Sequence, residues 1–180
     1  ETALASYQNA AGARPGLVSI QRALAEAYLS AALKESAMPA AEEALSLAPD
    51  KVANLIWYAD LMERVGQSGK AADALHTAME LDATNVNLVI RLANLLINSQ
   101  SASEAENALL QAISMENVNV SDLREIAAAA MRLDNDNLAL NALEKAVMIT
   151  EKPSDDLQHD LARLYQQKAE IGRASCRERV

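Results

Sequence analysis

Residues 86–119 read VNLVIRLANLLINSQSASEAENALLQAISMENVN, and this stretch decides the fold. In each half, apolar residues recur at the i, i+3, i+4, i+7 spacing that is typical of an amphipathic helix. Ser101, followed three residues later by Glu104, indicates a capping box at the start of the second helix. The stretch therefore predicts a hairpin of two antiparallel helices.

The same pattern recurs without gaps on both sides of this stretch. We number the four repeats 1 to 4, and they cover residues 18–51, 52–85, 86–119 and 120–153. Alanine occupies the eighth, twentieth and twenty-seventh position of every repeat: Ala25, Ala59, Ala93 and Ala127, then Ala37, Ala71, Ala105 and Ala139, then Ala44, Ala78, Ala112 and Ala146. Helices approach each other closely where one surface is reduced to a methyl group, so we expect these alanines between stacked helices. The predicted helices lie near 18–32, 36–47, 52–65, 69–81, 86–99, 102–115, 120–133 and 137–150.

The repeat pattern continues beyond the four repeats at both ends. Residues 1–17 match the second helix of an earlier repeat. If one extra residue follows the fourth repeat, Leu161, Ala162 and Tyr165 match positions 7, 8 and 11 of a partial repeat over 154–169. Because an array normally finishes on repeats with a polar outer face, we expect the chain to be a piece of a longer array.

Residues 170–180 read EIGRASCRERV and break the pattern. This string resembles the conceptual translation of a common short-read sequencing adapter, so we interpret it as non-native read-through and leave it out of the fold prediction. The alternative is a genuine basic tail that binds an acidic partner. The tail holds the chain's one cysteine, Cys176, so the repeats themselves offer no disulfide, CxxC or cysteine-based zinc chemistry.

The period and the helix-turn-helix repeat resemble the tetratricopeptide-repeat (TPR) family over residues 1–169. The sequence departs from the family pattern at position 4, where no repeat carries the expected aromatic residue, and Trp57 falls at position 6 instead. The resemblance implies an all-α fold, a right-handed solenoid or superhelix of antiparallel helix pairs. It also implies that the first helices of the repeats line a concave groove that receives a peptide or a helix.

The inward-facing positions of the family, carried over residue by residue, define a partner groove in this chain. The groove residues are Arg22, Glu26, Ile56, Asp60, Asn87, Ile90, Asn94, Ile97, Asn98, Arg124 and Met131. We expect Asn94 and Asn98 to bind the backbone of a partner segment, and the alternative is that they are solvated polar positions. One TPR subclass binds the C-terminal carboxylate of chaperones through cations at positions 5 and 9. Glu26 and Asp60 would repel that carboxylate.

Composition argues against several other functions. The net charge is −9 and the repeats contain no cluster of Lys and Arg, so a nucleic-acid partner is disfavoured. No apolar run is long enough to insert into a membrane. His76 and His159 fall on different predicted helices, which favours surface histidines over a metal site. We predict no metal, no cofactor and no catalytic residue, because motifs for a nucleophile or a phosphate loop are also lacking.

The leading functional hypothesis is a protein-interaction scaffold that binds a partner protein or peptide, rather than an enzyme. This hypothesis rests on the resemblance. One alternative is the targeting or regulatory arm of a larger enzyme, such as a glycosyltransferase or sulfotransferase. Another is an envelope or exopolysaccharide protein of the PEP-CTERM type. We expect a soluble bacterial protein of the cytoplasm or periplasm, and the apolar faces at both ends would permit self-association.

Overall fold

The computed structural model describes the backbone of residues 3–150 and 152–177, and the side chains of 3–150 and 152–169. Within these residues the chain forms ten α-helices and no strand. The helices are α1 (Ala3–Ala13), α2 (Val18–Ser30), α3 (Lys34–Ser46), α4 (Val52–Val65), α5 (Ser68–Leu81), α6 (Val86–Asn98), α7 (Ala102–Ser114), α8 (Val120–Arg132), α9 (Asp136–Met148) and α10 (Asp155–Arg177). Each of the eight predicted helices is confirmed to within two residues at both ends.

The chain divides into two compact units, Glu1–Ala83 and Thr84–Val180. The N-terminal unit contains α1 to α5, in which α2 packs on α3 and α4 on α5. The C-terminal unit contains α6 to α10, in which α6 packs on α7 and α8 on α9. Each of these four pairs is the hairpin of one repeat, so the predicted pairing of helices is confirmed.

The repeating alanines lie inside these hairpins. All twelve are buried, and none exposes more than 4% of its surface. Larger apolar side chains fill the space around them, including Leu61, Leu109 and Leu123, each of which has no exposed surface. A methyl group on one helix lets the backbone of its neighbour come close, and the neighbour's larger side chains then fill the remaining gap. The constant spacing of the alanines therefore fixes where the helices meet.

The first helix of every repeat ends in the same way. Position 15 adopts a left-handed conformation each time, with φ of 60° at Ala32, 93° at Gly66, 62° at Gln100 and 54° at Asp134. The next residue then donates its backbone N–H to the carbonyl five residues back, in Leu33 to Tyr28, Gln67 to Met62, Ser101 to Leu96 and Asn135 to Ala130, at 2.8–3.0 Å. This is the Schellman motif, which satisfies carbonyls left open at a helix end. Only Gly66 adopts the conformation without steric cost.

Side-chain capping differs from the prediction. Ser101 makes no capping hydrogen bond to α7, so the predicted capping box with Glu104 is wrong. The capping box that does form belongs to α8, where the Asn119 side chain accepts from the Asp122 N–H at 3.0 Å and Asp122 accepts from the Asn119 N–H at 3.1 Å. Asn135 caps α9 by accepting from the Leu138 N–H at 3.0 Å. Ser101 and Asn135 have similar backbone angles, with φ of −90° and −100° and ψ of 62° and 76°, yet only the Asn135 side chain accepts a capping hydrogen bond.

The partial repeat begins without the predicted extra residue. Among the α10 side chains that the structure describes, Leu157 and Leu164 are the buried ones, and they occupy positions 4 and 11 of a frame that starts at Ser154, directly after repeat 4. Tyr165, which was predicted to be internal, is 48% exposed, and its hydroxyl donates to a Glu144 carboxylate oxygen. Ala162 is also exposed. The sequence prediction placed the wrong face of α10 inward because Ala162 matched the repeating alanine.

The tail prediction concerns residues of which little is described. The backbone of α10 continues as far as Arg177, through most of the tail, while the side chains from residue 170 onward and the whole of 178–180 lie outside the described residues. The non-native origin of 170–180 therefore stays a prediction. The repeat boundaries and the longer array stay predictions in the same way.

Candidate partner-binding site

The first helices of repeats 1 and 2 are joined by a cluster of side chains in the N-terminal unit. Both carboxylate oxygens of Glu26 on α2 accept hydrogen bonds from α4, one from Trp57 Nε1 at 3.0 Å and one from Arg64 Nη1 at 2.9 Å. The Arg22 guanidinium lies over the Trp57 ring, 4.7 Å from its centroid. We call these four residues the α2/α4 bridge. Glu26 and Arg22, both predicted to contact a partner, are therefore engaged within the chain.

The α2/α4 bridge orders the surface more than it stabilises the fold. The Arg64 and Glu26 side chains are 53% and 38% exposed, so solvent screens their attraction. An exposed pair of this kind contributes about 0–1 kcal/mol. The stacking of Arg22 on Trp57 contributes about 0.5–1 kcal/mol more. The main effect of the α2/α4 bridge is to cover the indole ring and to occupy the space between α2 and α4.

A similar contact joins the first helices of repeats 3 and 4 in the C-terminal unit. Arg132 of α8 donates to Asn94 Oδ1 at 2.9 Å through Nη1 and to Asn98 Oδ1 at 2.5 Å through Nη2. Arg132 and Arg64 occupy the same repeat position, 13, and both reach back to position 9 of the preceding first helix. The carbonyl oxygens of the two asparagines predicted to bind a partner backbone therefore accept from Arg132.

Between α8 and α10 the arrangement is open. Here a cleft of about 390 Å³ lies between the two helices, with its apolar floor formed mainly by Ala128, Met131, Leu143 and Leu164. Met131 is 44% exposed, although its neighbours Leu143 and Leu164 are buried. Polar side chains surround this floor: Arg124, Glu125, Asp160, Arg163 and Gln167. Arg124 Nη2 and Asp160 Oδ2 form an ion pair at 3.0 Å across the cleft. Arg124 and Met131 are the two predicted groove residues that the structure brings together here.

The cleft is open because two side chains are replaced. Position 9 carries Glu26 in α2 and Asn94 in α6, but it carries Ala128 in α8. Position 13, which carries Arg64 and Arg132 in the bridging helices, carries Gln166 in α10 when the frame starts at Ser154. Neither the acceptor nor the arginine of the bridge is present, so the space between the helices stays unfilled.

The remaining predicted groove residues do not line this cleft. Asp60 and Asn87 are exposed, whereas Ile56 and Ile97 are half-buried. Ile90 is 1% exposed, so its assignment to a partner-accessible surface is wrong. Ile90 packs into the interior, and burying a side chain of that size contributes about 1.5–3 kcal/mol, whereas Ile56 at the same position is half-buried. Of the two arginines at the same position, Arg124 is exposed and Arg22 is half-buried.

Sequence reasoning missed several residues of this surface. Trp57, Arg64 and Arg132 were left out because positions 6 and 13 were not among the inward positions considered. Asp160 and Leu164 were missed because the groove positions were carried over only in the four full repeats, and because both residues fall at positions, 7 and 11, that were not considered. The recurrence of arginine at position 13 in repeats 2 and 4 was a signal that could have identified the bridges.

The described residues show no sign of a metal centre or a membrane span. They contain no group of three or more His, Cys, Asp and Glu residues that could hold a metal ion. Among the helices searched in the described part, none is long and apolar enough to cross a membrane. His76 and His159 are both exposed, which confirms the prediction of surface histidines.

The fold is the all-α solenoid of the TPR proteins, with helix pairs recurring every 34 residues around buried alanines. A thermophilic TPR protein of Thermus thermophilus is 17% identical, with a TM-score of 0.57, over 91% of this chain and 89% of its own. MamA is 16% identical, with a TM-score of 0.59, over 93% and 89%. YrrB, a TPR protein with an unusual peptide-binding site, is 17% identical, with a TM-score of 0.59, over 92% and 81%. At these identities the likeness establishes the fold. No protein-family model matches the chain, and no curated protein does.

Proposed function

We propose that the chain is a protein-interaction scaffold and not an enzyme, and that the α8/α10 cleft receives an apolar side chain of a partner segment. One observation carries this proposal. The cleft is lined by Arg124, Ala128 and Met131, and these are positions 5, 9 and 12 of repeat 4, which the resemblance assigns to the partner groove. The repeat pattern and the shape of the surface therefore indicate the same place independently.

The composition of the cleft suits a peptide. An exposed methionine is unbranched and adapts its shape to different apolar partners. Covering Met131 and the floor beside it would remove apolar surface from water, and burying one apolar side chain of a partner contributes about 1.5–3 kcal/mol. Arg124, Asp160 and Gln167 at the edges offer donors and acceptors to the backbone of an extended segment. A cleft of 390 Å³ is also within the usual range of about 300–1,000 Å³ for ligand sites.

Two structures of similar fold are consistent with this role. YrrB is described as having a peptide-binding site, and Cut9 forms a hetero-tetramer with Hcn1. The Cut9 structure has a TM-score of 0.57 at 16% identity, over 89% of this chain and 32% of its own. These are properties of those proteins. They show that helix pairs of this kind can hold a protein or a peptide, which is what we propose here.

The proposal is tested by selecting ligands and locating where they bind. The full chain is panned against a random dodecapeptide library displayed on phage, and the Kd of each selected synthetic peptide is measured by calorimetry. We name these the selected peptides. Met131→Glu should weaken their binding at least about tenfold, because a charge would then be buried against the peptide. Met148→Glu is the matched control, since Met148 is 84% exposed on α9 and does not line the cleft.

Three outcomes would contradict the proposal. The first is panning that enriches no peptide above background, the second is an equal loss of affinity in the two glutamate variants, and the third is unchanged peptide binding in Met131→Glu. Circular dichroism of both variants shows whether each remains folded. If Met131→Glu is unfolded, Met131→Gln is measured in its place.

A further inference from the structure

A second cleft, separate from the first, lies in the N-terminal unit between α3, α4 and α5. Its volume is about 350 Å³. Leu55, Tyr58 and Ala74 form its floor and are 3–5% exposed, while Leu45 and Pro49 form one wall. None of the predicted groove residues lines it, and no residue of the α2/α4 bridge does. The cleft therefore belongs to a different face of the repeats from the one to which the proposed function applies.

Charged and polar side chains of α5 border this apolar space, namely Lys70, Asp73 and Thr77. Lys70 Nζ lies 2.5 Å from Glu42 Oε1, so its charge is already compensated, and this hydrogen bond raises the pKa of Lys70. The Thr77 hydroxyl donates to the Asp73 backbone carbonyl at 3.0 Å. Within the described residues the Asp73 carboxylate itself makes no hydrogen bond and no ion pair. The border of the cleft therefore carries one uncompensated negative charge.

The tyrosine at the floor is held neutral. Burial raises the pKa of Tyr58 above its usual value, and the Glu42 and Asp73 carboxylates raise it further, while Lys70 acts in the opposite direction. A neutral hydroxyl lets the ring serve as an apolar surface with one polar atom. The whole N-terminal unit is also acidic, with six Lys and Arg against eleven Asp and Glu. Its field attracts a positively charged segment and repels a negatively charged one.

We infer that this cleft is a second docking site, which binds a partner segment that carries an aliphatic side chain next to a lysine or arginine. The aliphatic side chain enters the space above Leu55 and Ala74, and the cation pairs with Asp73. Both parts are needed for selectivity, because an apolar cleft alone would accept any aliphatic side chain, whereas the Asp73 carboxylate rejects an acidic neighbour. The inference does not depend on what binds between α8 and α10.

The test uses two peptides that differ only in charge. The full chain, labelled with ¹³C at its leucine methyl groups, is titrated with acetyl-Gly-Leu-Lys-Leu-Lys-Gly-amide and then with the peptide in which glutamate replaces lysine. The lysine peptide should shift the Leu45 and Leu55 methyl signals and saturate. The glutamate peptide should bind at least about tenfold more weakly, because like charges would meet at Asp73.

Variants separate the charge from the cleft. Asp73→Asn should weaken the lysine peptide up to about fivefold and remove most of the difference between the two peptides, because an exposed ion pair is worth that much. Glu43→Gln is the matched control, since Glu43 is exposed on α3 and does not line the cleft. Thr77→Trp should block the border and remove binding of the lysine peptide, while the leucine spectrum shows that the chain stays folded.

Several results would overturn the inference. Equal binding of both peptides would show that the site lacks the proposed charge selectivity. Methyl shifts confined to Leu143 and Leu164 would place the lysine peptide in the α8/α10 cleft. If no methyl signal shifts at millimolar peptide, the cleft between α3, α4 and α5 does not bind a segment of the proposed class. An unchanged affinity of Asp73→Asn for the lysine peptide would show that Asp73 does not pair with the lysine. Each result is independent of the selected peptides and of Met131→Glu.

Discussion

The α2/α4 bridge of the N-terminal unit and the α8/α10 cleft of the C-terminal unit are two versions of the same junction. Both lie between the first helices of successive repeats. In one, Trp57 and Arg64 fill the space and hold Glu26, whereas in the other Ala128 and Gln166 leave it open. Helices α2, α4 and α8 are alike in length, at 13, 14 and 13 residues, and each buries its repeating alanine, whereas α10 is longer, at 23 residues, and Ala162 in it is exposed. The difference shows that repeat packing and partner binding are set by different positions of the same helix.

The largest effect should come from overfilling a packing position. Ala25 of α2 has no exposed surface, so Ala25→Leu should cost about 1–3 kcal/mol of unfolding free energy, because the extra atoms force the helices apart. Ala128→Leu, at the exposed neighbouring position of α8, should change the unfolding free energy by less than about 0.5 kcal/mol. Urea unfolding followed by circular dichroism measures both. Similar losses of unfolding free energy in the two variants would show that the position of Ala25 is no more important for packing than the position of Ala128.

Next in size is the effect of converting the open junction into a bridged one. Ala128→Glu combined with Gln166→Arg gives α8 and α10 the position-9 carboxylate and position-13 arginine that Glu26 and Arg64 provide. The pair should fill the cleft and weaken the selected peptides about tenfold, equivalent to about 1.4 kcal/mol. Calorimetry measures the affinity, and Gln166→Arg alone serves as the control for added charge. Undiminished binding in the double variant would mean that the peptides bind elsewhere.

A smaller effect should follow from removing the backbone strain at the residues that end the first helices of repeats 1 and 4. Ala32 ends the first helix of repeat 1 at φ 60°, where a side chain is strained, so Ala32→Gly should stabilise the chain by about 1 kcal/mol. Asp134 has φ 54° in repeat 4, but aspartate tolerates this region better than alanine does. Asp134→Gly should therefore raise the unfolding free energy by less than Ala32→Gly does. Thermal and urea unfolding measure both changes. The reverse order of the two gains would contradict this account of the turns.

The smallest effect concerns the stacked arginine of the α2/α4 bridge. Arg22→Met removes the cation over the indole and should cost about 0.5–1 kcal/mol. Trp57 is the one tryptophan of the chain, so its fluorescence reports this junction directly, and its emission should shift when the ring loses its cover. Arg14→Met, at an exposed arginine that does not stack on the ring, is the control. An emission spectrum that responds equally to both variants would show that Arg22 does not cover Trp57.

The sequence predicted the packing of the repeats well and the binding surface only in part. The buried alanines recur with the 34-residue period of the helix hairpins. Ala25 could therefore be assigned to the inside, and Ala128 to the outside, from their repeat positions alone. The bridges depend on the length and direction of individual side chains. The hydrogen bond from Arg64 on α4 to Glu26 on α2 could therefore not be predicted from the repeat period. Ile90 shows the same limit, because a position that is polar and exposed in one repeat is apolar and buried in another.

The register error at α10 had a similar cause. Ala162 matched the alanine pattern by identity, whereas in the structure Leu157 and Leu164, at 1% and 3% exposure, face inward. The Ser101 capping box was predicted from residue type alone, whereas the side chains that do cap a helix here are the asparagines Asn119 and Asn135. In both cases a short match of residue types did not decide the local structure.

The bonds that cross from one first helix to the next have a nearly constant reach along the chain. Trp57 to Glu26 spans 31 residues, Arg124 to Asp160 spans 36, and Arg64 to Glu26 spans 38. Contacts of such limited sequence separation favour rapid folding, because little loop-closure entropy is lost before they form. On a ribosome, each hairpin would meet its contacts from the following helix after only about forty further residues had been added. Synthesis could therefore extend the array stepwise, with each new helix docking on a hairpin that is already folded.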